Sequence, residues 1–462
     1  MSEAVITRPS WGQLLGLAWP IVVQRSAQVV IGTSDALMVA RLGETAFGAA
    51  SAAGHNAFAL FILPMGTVFI VSSFSSQLFG KGDVAGARRY AFYGLAIALV
   101  TQLLCIAAVP FVPAVLGTMS YPADVSALMA EFLAVRLLGG GAVVGLEALG
   151  NYYAGLKNVR LPMLAQLLAM VLNVAFNWVL IFGKLGAPAM GVKGAALGST
   201  LATFVAFFAL YACFHFGVGV PEGGRAKTPL RMHEMKTLLR FGLPSGLNWF
   251  IEFAAFIFFL NVVVASLGKS ELAAMLAVLQ INSVSFMPAF GLASAGAIFV
   301  GQAIGARKKD DVPFTVRSTM IACAVWEGAV GLAYLAFPAL LLAPFVDGEH
   351  AAFMGAGIVM LRLSATWQLF DAALNTLAEA LRAAGDTTFC AVARGAVAWL
   401  FFFPGAWISV RILGGREVVA TSWLVVYLAA LAAILAWRFR SGRWRDLELT
   451  EPEVPIAEPS RA

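Results

Sequence analysis

The chain has 462 residues, of which 60% are hydrophobic and only 12% are charged. Soluble globular proteins carry about 25% charged residues, so this composition excludes an ordinary water-soluble domain. The formal net charge is +6, but the basic residues alternate between loops rather than forming one patch. We read that alternation as a signal of membrane topology and expect no nucleic-acid partner.

Twelve apolar segments can be marked along the chain, each close to the ~20 residues that cross a bilayer. They run at about 13–39, 54–79, 91–116, 127–154, 161–182, 194–216, 241–266, 275–300, 318–342, 353–380, 388–410 and 418–437. Backbone groups in lipid must be satisfied within helices or closed barrels, and these runs are too long and too evenly apolar for barrel strands. We predict an all-α integral membrane protein with twelve transmembrane helices, whose surroundings are the lipid bilayer.

Lysine and arginine are concentrated in the N-terminus, the even-numbered loops and the start of the tail. The positive-inside rule then predicts that both termini are cytoplasmic, in a multi-pass protein of the inner membrane. The four cysteines all fall inside apolar segments, so we read them as small buried hydrophobic residues rather than disulfides or metal ligands.

The sequence contains two copies of one unit. "LLGLAWPIVVQ" (from Leu14) aligns with "LLRFGLPSGLN" (from Leu238), so that Pro20 matches Pro244 and, further on, Pro64 matches Pro288. The offset stays near 224 residues and drifts to about 228 where "AGLKNVR" meets "RAAGDTT". Because each copy has six spans, the copies share one orientation, and a pseudo-two-fold axis along the membrane normal should relate two six-helix bundles.

This repeat divides the chain into four parts. We assign residues 1–216 to an N-terminal six-helix lobe, 217–240 to a basic cytoplasmic linker and 241–440 to a C-terminal six-helix lobe. Residues 441–462 are acidic and rich in proline after Arg445, a composition typical of a disordered tail.

The tenth segment carries polar residues at steps of three and four, which places them on one helix face. Charges within the membrane are candidates for function. The stripe faces the bundle interior, where it could bind an ion or serve as a structural hydrogen-bond network. The structural alternative is strongest for Glu379 and Arg382, near the cytoplasmic end. The stripe consists of Ser364, Gln368, Asp371, Asn375, Glu379 and Arg382.

The seventh segment contributes a second carboxylate to the same half. Ser245, Asn248 and Glu252 share one face, and Glu252 should lie at a depth similar to that of Asp371. Two carboxylates in a low-dielectric pocket do not both ionise at low cost, so one holds a proton or a cation binds between them. This pattern is typical of an ion-driven transporter, with H⁺ or Na⁺ as the coupling ion.

The first half has its own polar set. The same spacing groups residues on three of its segments, while Asp35 could alternatively be a helix-terminal carboxylate near the outer surface. Several other charged residues within or near the segments, including Arg25, Arg394 and Glu327, have no assigned partner. The three groups are Gln24, Gln28 and Asp35 on the first segment, Glu147 and Asn151 on the fourth, and Gln166, Asn173 and Asn177 on the fifth.

The chain resembles the multidrug and toxic compound extrusion (MATE) family over roughly residues 11–440. The resemblance rests on the order of "LAWPIV", "SDALMVARLG", "GKGDVAGARR", "GLKNVRLPM", "LNVAFNWVLIFG", "APAMGVKGAALGST" and "ALRAAGDTT". It implies a two-lobed fold of twelve helices that exports bulky organic cations in exchange for inward Na⁺ or H⁺. We therefore expect an antiporter, not an enzyme, with no cofactor other than the coupling ion, and a monomer.

The resemblance also implies roles for individual residues. Asp35 matches the aspartate of an N-lobe site, with Asn151, Asn173, Asn177 and Ser199 around it. Glu252 and Asp371 match the carboxylates of the NorM-like branch, which uses a cation site in the C-lobe, and Na⁺ is one ion they could bind. Asn177 replaces the Asp that is frequent in the DinF-like branch, which weakens the case for an N-lobe proton site of that type.

Two other functions stay open at this point. A lipid-linked saccharide flippase of the same superfamily would hold an anionic pyrophosphate with arginines facing its cavity, whereas the best-placed charges here are acidic. A channel or a non-transporting scaffold is disfavoured by paired midplane carboxylates in a duplicated fold. The supporting or substrate-contacting polar residues that we predict are Gln24, Gln28, Asn151, Asn173, Asn177, Ser199, Asn248, Gln368, Asn375 and Glu379.

Overall fold

The structure is a computed structural model that describes residues 8–119, 121–224, 226, 229–345 and 351–450. Over these residues it has eleven helices long and apolar enough to cross a membrane, and a bent helix pair that makes a twelfth span. We number the spans first to twelfth. They are Trp11–Ala40, Glu44–Lys81, Val84–Gly117, Ala123–Leu137 with Gly140–Gly155, Arg160–Phe182, Gly191–Phe216, Met232–Ser266, Lys269–Gly305, Lys309–Ala336, Ala351–Ala384, Thr387–Ile412 and Glu417–Arg440.

The fourth span is broken near its middle. Its two helices, Ala123–Leu137 and Gly140–Gly155, meet at an angle of 46°. Glycines 139, 140 and 141 form this corner, and glycine runs are a known cause of sharp helix bends. A Cβ added at Gly140 would lie 2.7 Å from the sulfur of Cys105, so the bend also lets the fourth span approach the third.

The seventh span starts at Met232 rather than at residue 241, so the predicted linker is shorter and covers residues 217–231. Hydropathy missed this first part because it is polar. Glu234 accepts a hydrogen bond of 2.7 Å from the hydroxyl of Tyr93 and pairs with Arg89 at 2.7 Å. These contacts join the start of the seventh span to the third span and stabilise a helix that apolar content alone does not predict.

The two six-helix bundles follow the sequence repeat. Pro20, Pro64, Pro244 and Pro288 each lie inside a helix, in the first, second, seventh and eighth spans. The first span packs against the eighth, and its equivalent, the seventh, packs against the second. The predicted all-helical fold with two related bundles is confirmed.

The lobes meet closely on one side of the molecule. Because successive spans alternate in direction, the first span begins and the twelfth ends on one face, which we call the terminal face. Towards this face a Cβ added at Gly66 would lie only 2.8 Å from Cα of Gly246 in the other lobe. Such close approach through small residues is typical of helix interfaces in membranes.

Residues 441–450 pack against the terminal face, so the predicted disorder does not hold for this part of the tail. Arg443–Asp446 forms a 3₁₀ helix. Trp444 and Leu449 are each only 2% exposed. Trp444 packs into the core of the C-lobe, and Leu449 packs into a cluster formed mainly by N-lobe residues, beside Gly385 of the C-lobe. Residues 451–462 lie outside the described part of the chain.

Candidate functional site

A cluster of polar side chains surrounds Asp35 in the N-lobe. The amide of Asn177 donates to one carboxylate oxygen at 2.5 Å, and the hydroxyl of Ser199 donates to the other at 2.9 Å. Asn173 donates to Ser199 at 2.9 Å. Asp35 is therefore held by the fifth and sixth spans, which agrees with a built polar site better than with a solvated helix end.

This cluster opens into an N-lobe cavity of about 350 Å³. Gln24, Gln28 and Arg136 also line it, so the two glutamines predicted to share the face of Asp35 do so. Arg136 is close enough to Asp35 to act on it electrostatically, and the sequence did not assign it.

A buried ion pair separates this cavity from the centre of the protein. Arg25 on the first span donates to both carboxylate oxygens of Glu147 on the fourth, at 2.8 and 3.2 Å. Asn151 donates to the same carboxylate at 3.0 Å. The bidentate geometry satisfies both charges where water is scarce, so Asn151 supports this pair rather than Asp35.

A larger cavity of about 640 Å³ lies between the lobes. Its wall is rich in aromatic side chains, which suits flat or bulky apolar molecules. Most of its lining residues belong to the C-lobe, and the first and second spans supply the remainder. The aromatic residues of the wall are Phe58, Trp249, Phe253, Phe256, Phe286, Phe290, Trp367, Phe402 and Tyr427.

Three arginines line this central cavity, and each has an acidic partner. Arg25 pairs with Glu147, as described. Arg382 pairs with Glu379 at 2.5 Å and also donates to hydroxyls of the other lobe, those of Ser72 and Ser73, at 2.9 and 3.0 Å. The third pair joins Arg394 on the eleventh span to Glu252 on the seventh.

Asp371 has a different environment. Among the described residues no arginine or lysine forms a salt bridge with its carboxylate, although Asp371 lines the cavity. Its neighbours include Asn375 and the carboxyl group of Glu327, which is 0% exposed on the ninth span. Both side-chain oxygens of Glu327 are buried without a hydrogen-bond partner among the described residues. Two carboxyl groups near each other in an apolar environment do not both ionise at low cost, so this arrangement favours the binding of a proton.

The rest of the polar stripe on the tenth span contacts the eighth span. Gln368 donates to Asn282 at 2.6 Å and accepts from Ser285 at 3.1 Å. By contrast, the side-chain nitrogen of Asn375 and the side-chain oxygen of Asn248 are buried at the cavity wall with no hydrogen-bond partner among the described residues. Gln368 and Glu379 therefore have partners within the protein, whereas these single atoms of Asn248 and Asn375 have none among the described residues.

Comparison with known proteins identifies the family. The MatE family model matches residues 20–179 and 244–408, that is, both lobes and more than half of the chain. The chain belongs to the MatE family. It is therefore a membrane transporter and not an enzyme, and the resemblance noted from the sequence motifs is confirmed.

The relatives of this MatE protein cover nearly its whole length. It is 28% identical over 448 residues to the probable multidrug resistance protein NorM of Rhizobium meliloti (strain 1021). This alignment covers 92% of each of the two chains. It is 24% identical to the NorM protein of Thermotoga maritima, covering 94% of this chain and 92% of the relative.

Solved structures share the fold. An outward-facing multidrug resistance MATE family transporter aligns with a TM-score of 0.83 at 20% identity, covering 95% of this chain and 96% of the other. At this level of identity the likeness concerns the fold alone.

The predicted site residues of this MatE protein fall into two groups around two neighbouring cavities, and Gln28 lines both cavities. Asp35 lies with Asn173, Asn177 and Ser199 in the N-lobe, whereas the predicted placement of Asn151 beside Asp35 is wrong because it contacts Glu147. Glu252 and Asp371 line the central cavity together. The sequence analysis missed the partners Arg394 and Glu327. Both had been noted as buried charges, but helical spacing reports only which residues share a face on one helix. Among the described residues no three His, Cys, Asp or Glu side chains are arranged to hold a metal ion.

Proposed function

We propose that the protein is a secondary antiporter that exports bulky, mostly cationic organic compounds in exchange for inward H⁺ or Na⁺. One observation carries this proposal: Asp371 is a carboxylate without a salt-bridge partner among the described residues, and it faces a cavity lined by aromatic side chains. An organic cation placed there would gain both the carboxylate and the ring faces. The names of the NorM relatives support a multidrug substrate range.

Alternating access couples export of the organic cation to entry of the coupling ion. Occupation of Asp371 by a coupling ion or by substrate changes the charge between the lobes, and a ligand shifts a conformational equilibrium only when it binds the two states differently. The coupling ion is H⁺ or Na⁺. A proton suits the contact between Asp371 and Glu327, whereas Na⁺ would require carboxylate oxygens at Asp371 and Glu252.

We further propose that the terminal face is cytoplasmic and that the protein acts as a monomer in the inner membrane. The excess of lysine and arginine in the loops of that face supports this orientation. The lobes are in contact there, so the structure corresponds to a conformation closed on the cytoplasmic side.

A lipid-linked saccharide flippase is the alternative, and one observation favours it: three arginines line the central cavity. Each of them is already paired with a carboxylate, however. An anionic pyrophosphate would have to separate at least one buried pair, and leaving a carboxylate unpaired in such a site costs several kcal/mol. The antiporter is therefore the better supported function.

Transport by the purified protein in liposomes tests the proposal. We expect an imposed pH or Na⁺ gradient to drive uptake of a cationic dye, and we expect no movement of a lipid-linked sugar. Asp371→Asn should reduce the initial rate at least tenfold, since it removes the charge while preserving the shape of the side chain. Arg362→Gln, at an exposed position of the same span, is the control. No dye movement under either gradient, or a full rate in Asp371→Asn, contradicts the proposal.

A further inference from the structure

The three ion pairs of the central cavity differ in how open they are to it. The side chains of Arg25 and Glu147 are 10% and 5% exposed, and those of Arg382 and Glu379 are 8% and 7% exposed. In the third pair, Arg394 is only 8% exposed. Its partner, Glu252, is much more exposed than the other residues of these pairs.

Glu252 keeps 43% of its side-chain surface exposed and lines the cavity. A cation inside the cavity can therefore approach the exposed surface of Glu252. Whether it binds there depends on how far Arg394 has already neutralised the carboxylate.

Asp371 belongs to the same charge group. It interacts electrostatically with Glu252 and with Arg394, whereas Arg394 makes its ion pair with Glu252. With both carboxylates ionised, these three side chains carry a net charge of −1. Other titratable groups around them are Glu327 and Cys323 on the ninth span and Tyr427 on the twelfth.

The two spans that carry the pair both contain irregular helix turns, which begin three residues after Arg394 and seven residues after Glu252. The seventh span contains a π-helical turn at Phe259–Val263, and the eleventh contains one at Val397–Phe402, directly after the helix that holds Arg394. The rings of Phe259 and Phe402 pack at 5.0 Å between centroids and join these turns. Since π-helical turns are frequent at functional sites, the turn directly after the helix of Arg394 supports a functional role for this residue.

We propose that Arg394 is an internal cation that sets the charge selectivity of the cavity. By neutralising Glu252 it leaves Asp371 as the one carboxylate among the described residues lining the cavity that has no salt bridge. The cavity then selects organic compounds with a single positive charge over those with two. Arg394 is a positioning residue, because it acts through Glu252 and not on the substrate. This inference rests on the proposed transport of organic cations and specifies their charge.

Binding of two probes to the purified full-length protein tests the inference. Tetraphenylphosphonium carries one positive charge and methyl viologen carries two, and calorimetry gives the Kd of each. In Arg394→Gln the group has a net charge of −2, so the affinity for methyl viologen relative to tetraphenylphosphonium should rise by about tenfold or more, as expected for one extra charge at short range. The same ratio in Arg394→Gln and the wild type would overturn the inference.

Glu252→Gln separates this role from direct binding at Glu252. The single variant leaves Arg394 unpaired and the group neutral, so tetraphenylphosphonium should bind about tenfold more weakly. The double variant Glu252→Gln/Arg394→Gln restores a net charge of −1 and should recover the wild-type affinity. If the double variant binds as weakly as Glu252→Gln, then Glu252 itself binds the cation and the inference is wrong.

The double variant creates no unpaired charge that the wild type lacks, so it provides a decisive comparison even if Arg394→Gln alone does not fold. The exposed Arg362→Gln again serves as the control for loss of one arginine. If the wild-type protein binds neither probe, the proposed function fails. If it binds tetraphenylphosphonium but the variants leave the preference unchanged, only the role of Arg394 fails.

Discussion

Arg25 and Glu147 illustrate what a buried charge requires in this protein. The guanidinium is held by two hydrogen bonds from the first span to the fourth, and its face lies over the rings of Phe69 and Phe290 at 5.6 and 5.5 Å. Neither partner of the pair is accessible to much water. The pair therefore contributes mainly by preventing an unpaired charge, since removal of one partner of a buried pair costs about 3–5 kcal/mol.

We predict that Arg25→Gln lowers the thermal stability of the detergent-solubilised protein by an amount equivalent to about 3 kcal/mol, because it leaves Glu147 uncompensated. The double variant Arg25→Gln/Glu147→Gln should recover most of this loss. Thermal unfolding, monitored by intrinsic fluorescence, measures the stability of the single and the double variant. A double variant no more stable than the single one would indicate that Arg25 acts through packing rather than charge.

At this scale, sequence spacing predicted which residues share a helix face but not which faces meet. It placed Asp35, Asn173 and Asn177 on inward faces, and the structure brings them together. It could not join Arg394 to Glu252, because 142 positions (394 − 252) separate the partners. Their contact depends on how the seventh and eleventh spans pack, which local periodicity does not report.

At the scale of elements, two glutamines link the lobes in a symmetric way. Gln77 on the second span donates to the carbonyl of Ala383 at 2.7 Å, and Gln302 on the eighth span donates to the carbonyl of Gly155 at 3.1 Å. The donors are 225 residues apart and the acceptors 228, close to the offset of the repeat. Each lobe therefore uses the same helix end to hold the other.

We predict that Gln77→Glu with Gln302→Glu weakens closure of the terminal face, because a carboxylate cannot donate to the carbonyl that it then faces. Spin labels at Arg160→Cys and Arg317→Cys, exposed positions on the two lobes, would report the separation in a background without native cysteines. The distance distribution should gain a longer component. Gln102→Glu, within the N-lobe, is the control. Equal distance distributions for the labelled wild type, the double variant and Gln102→Glu would contradict the prediction.

The elements themselves were largely predictable. Apolar runs and the internal offset are properties of local sequence, so all twelve spans and both bundles were predicted. The polar start of the seventh span and the π-helical turns were not, because tertiary contacts such as Glu234 with Arg89 stabilise them. The ordered part of the tail was missed for the same reason, since its composition is typical of disorder.

At the scale of the whole molecule, the tail connects both lobes across the terminal face. Trp444 stacks on Phe439 of the twelfth span at 5.4 Å between ring centroids, and Arg445 pairs with Asp310 at 2.7 Å, so residues 443–446 are fixed to the C-lobe. Leu449 is buried in a cluster formed mainly by N-lobe residues and also lies beside Gly385 of the C-lobe, and Lys81 of the N-lobe donates to the carbonyl of Thr450 at 3.4 Å. Because the tail contacts both lobes, we expect separation of the lobes at this face to disturb these contacts.

We predict that Leu449→Asp shifts the conformational equilibrium away from the state closed at the terminal face. Burial of a leucine side chain contributes about 1.5–3 kcal/mol, so its loss should change the ratio of closed to open molecules roughly tenfold or more. The label pair at Arg160→Cys and Arg317→Cys measures this ratio. Glu448→Ala, at the exposed neighbouring position, should leave it unchanged. A distribution in Leu449→Asp that matches Glu448→Ala would mean that the tail follows the lobes without restraining them.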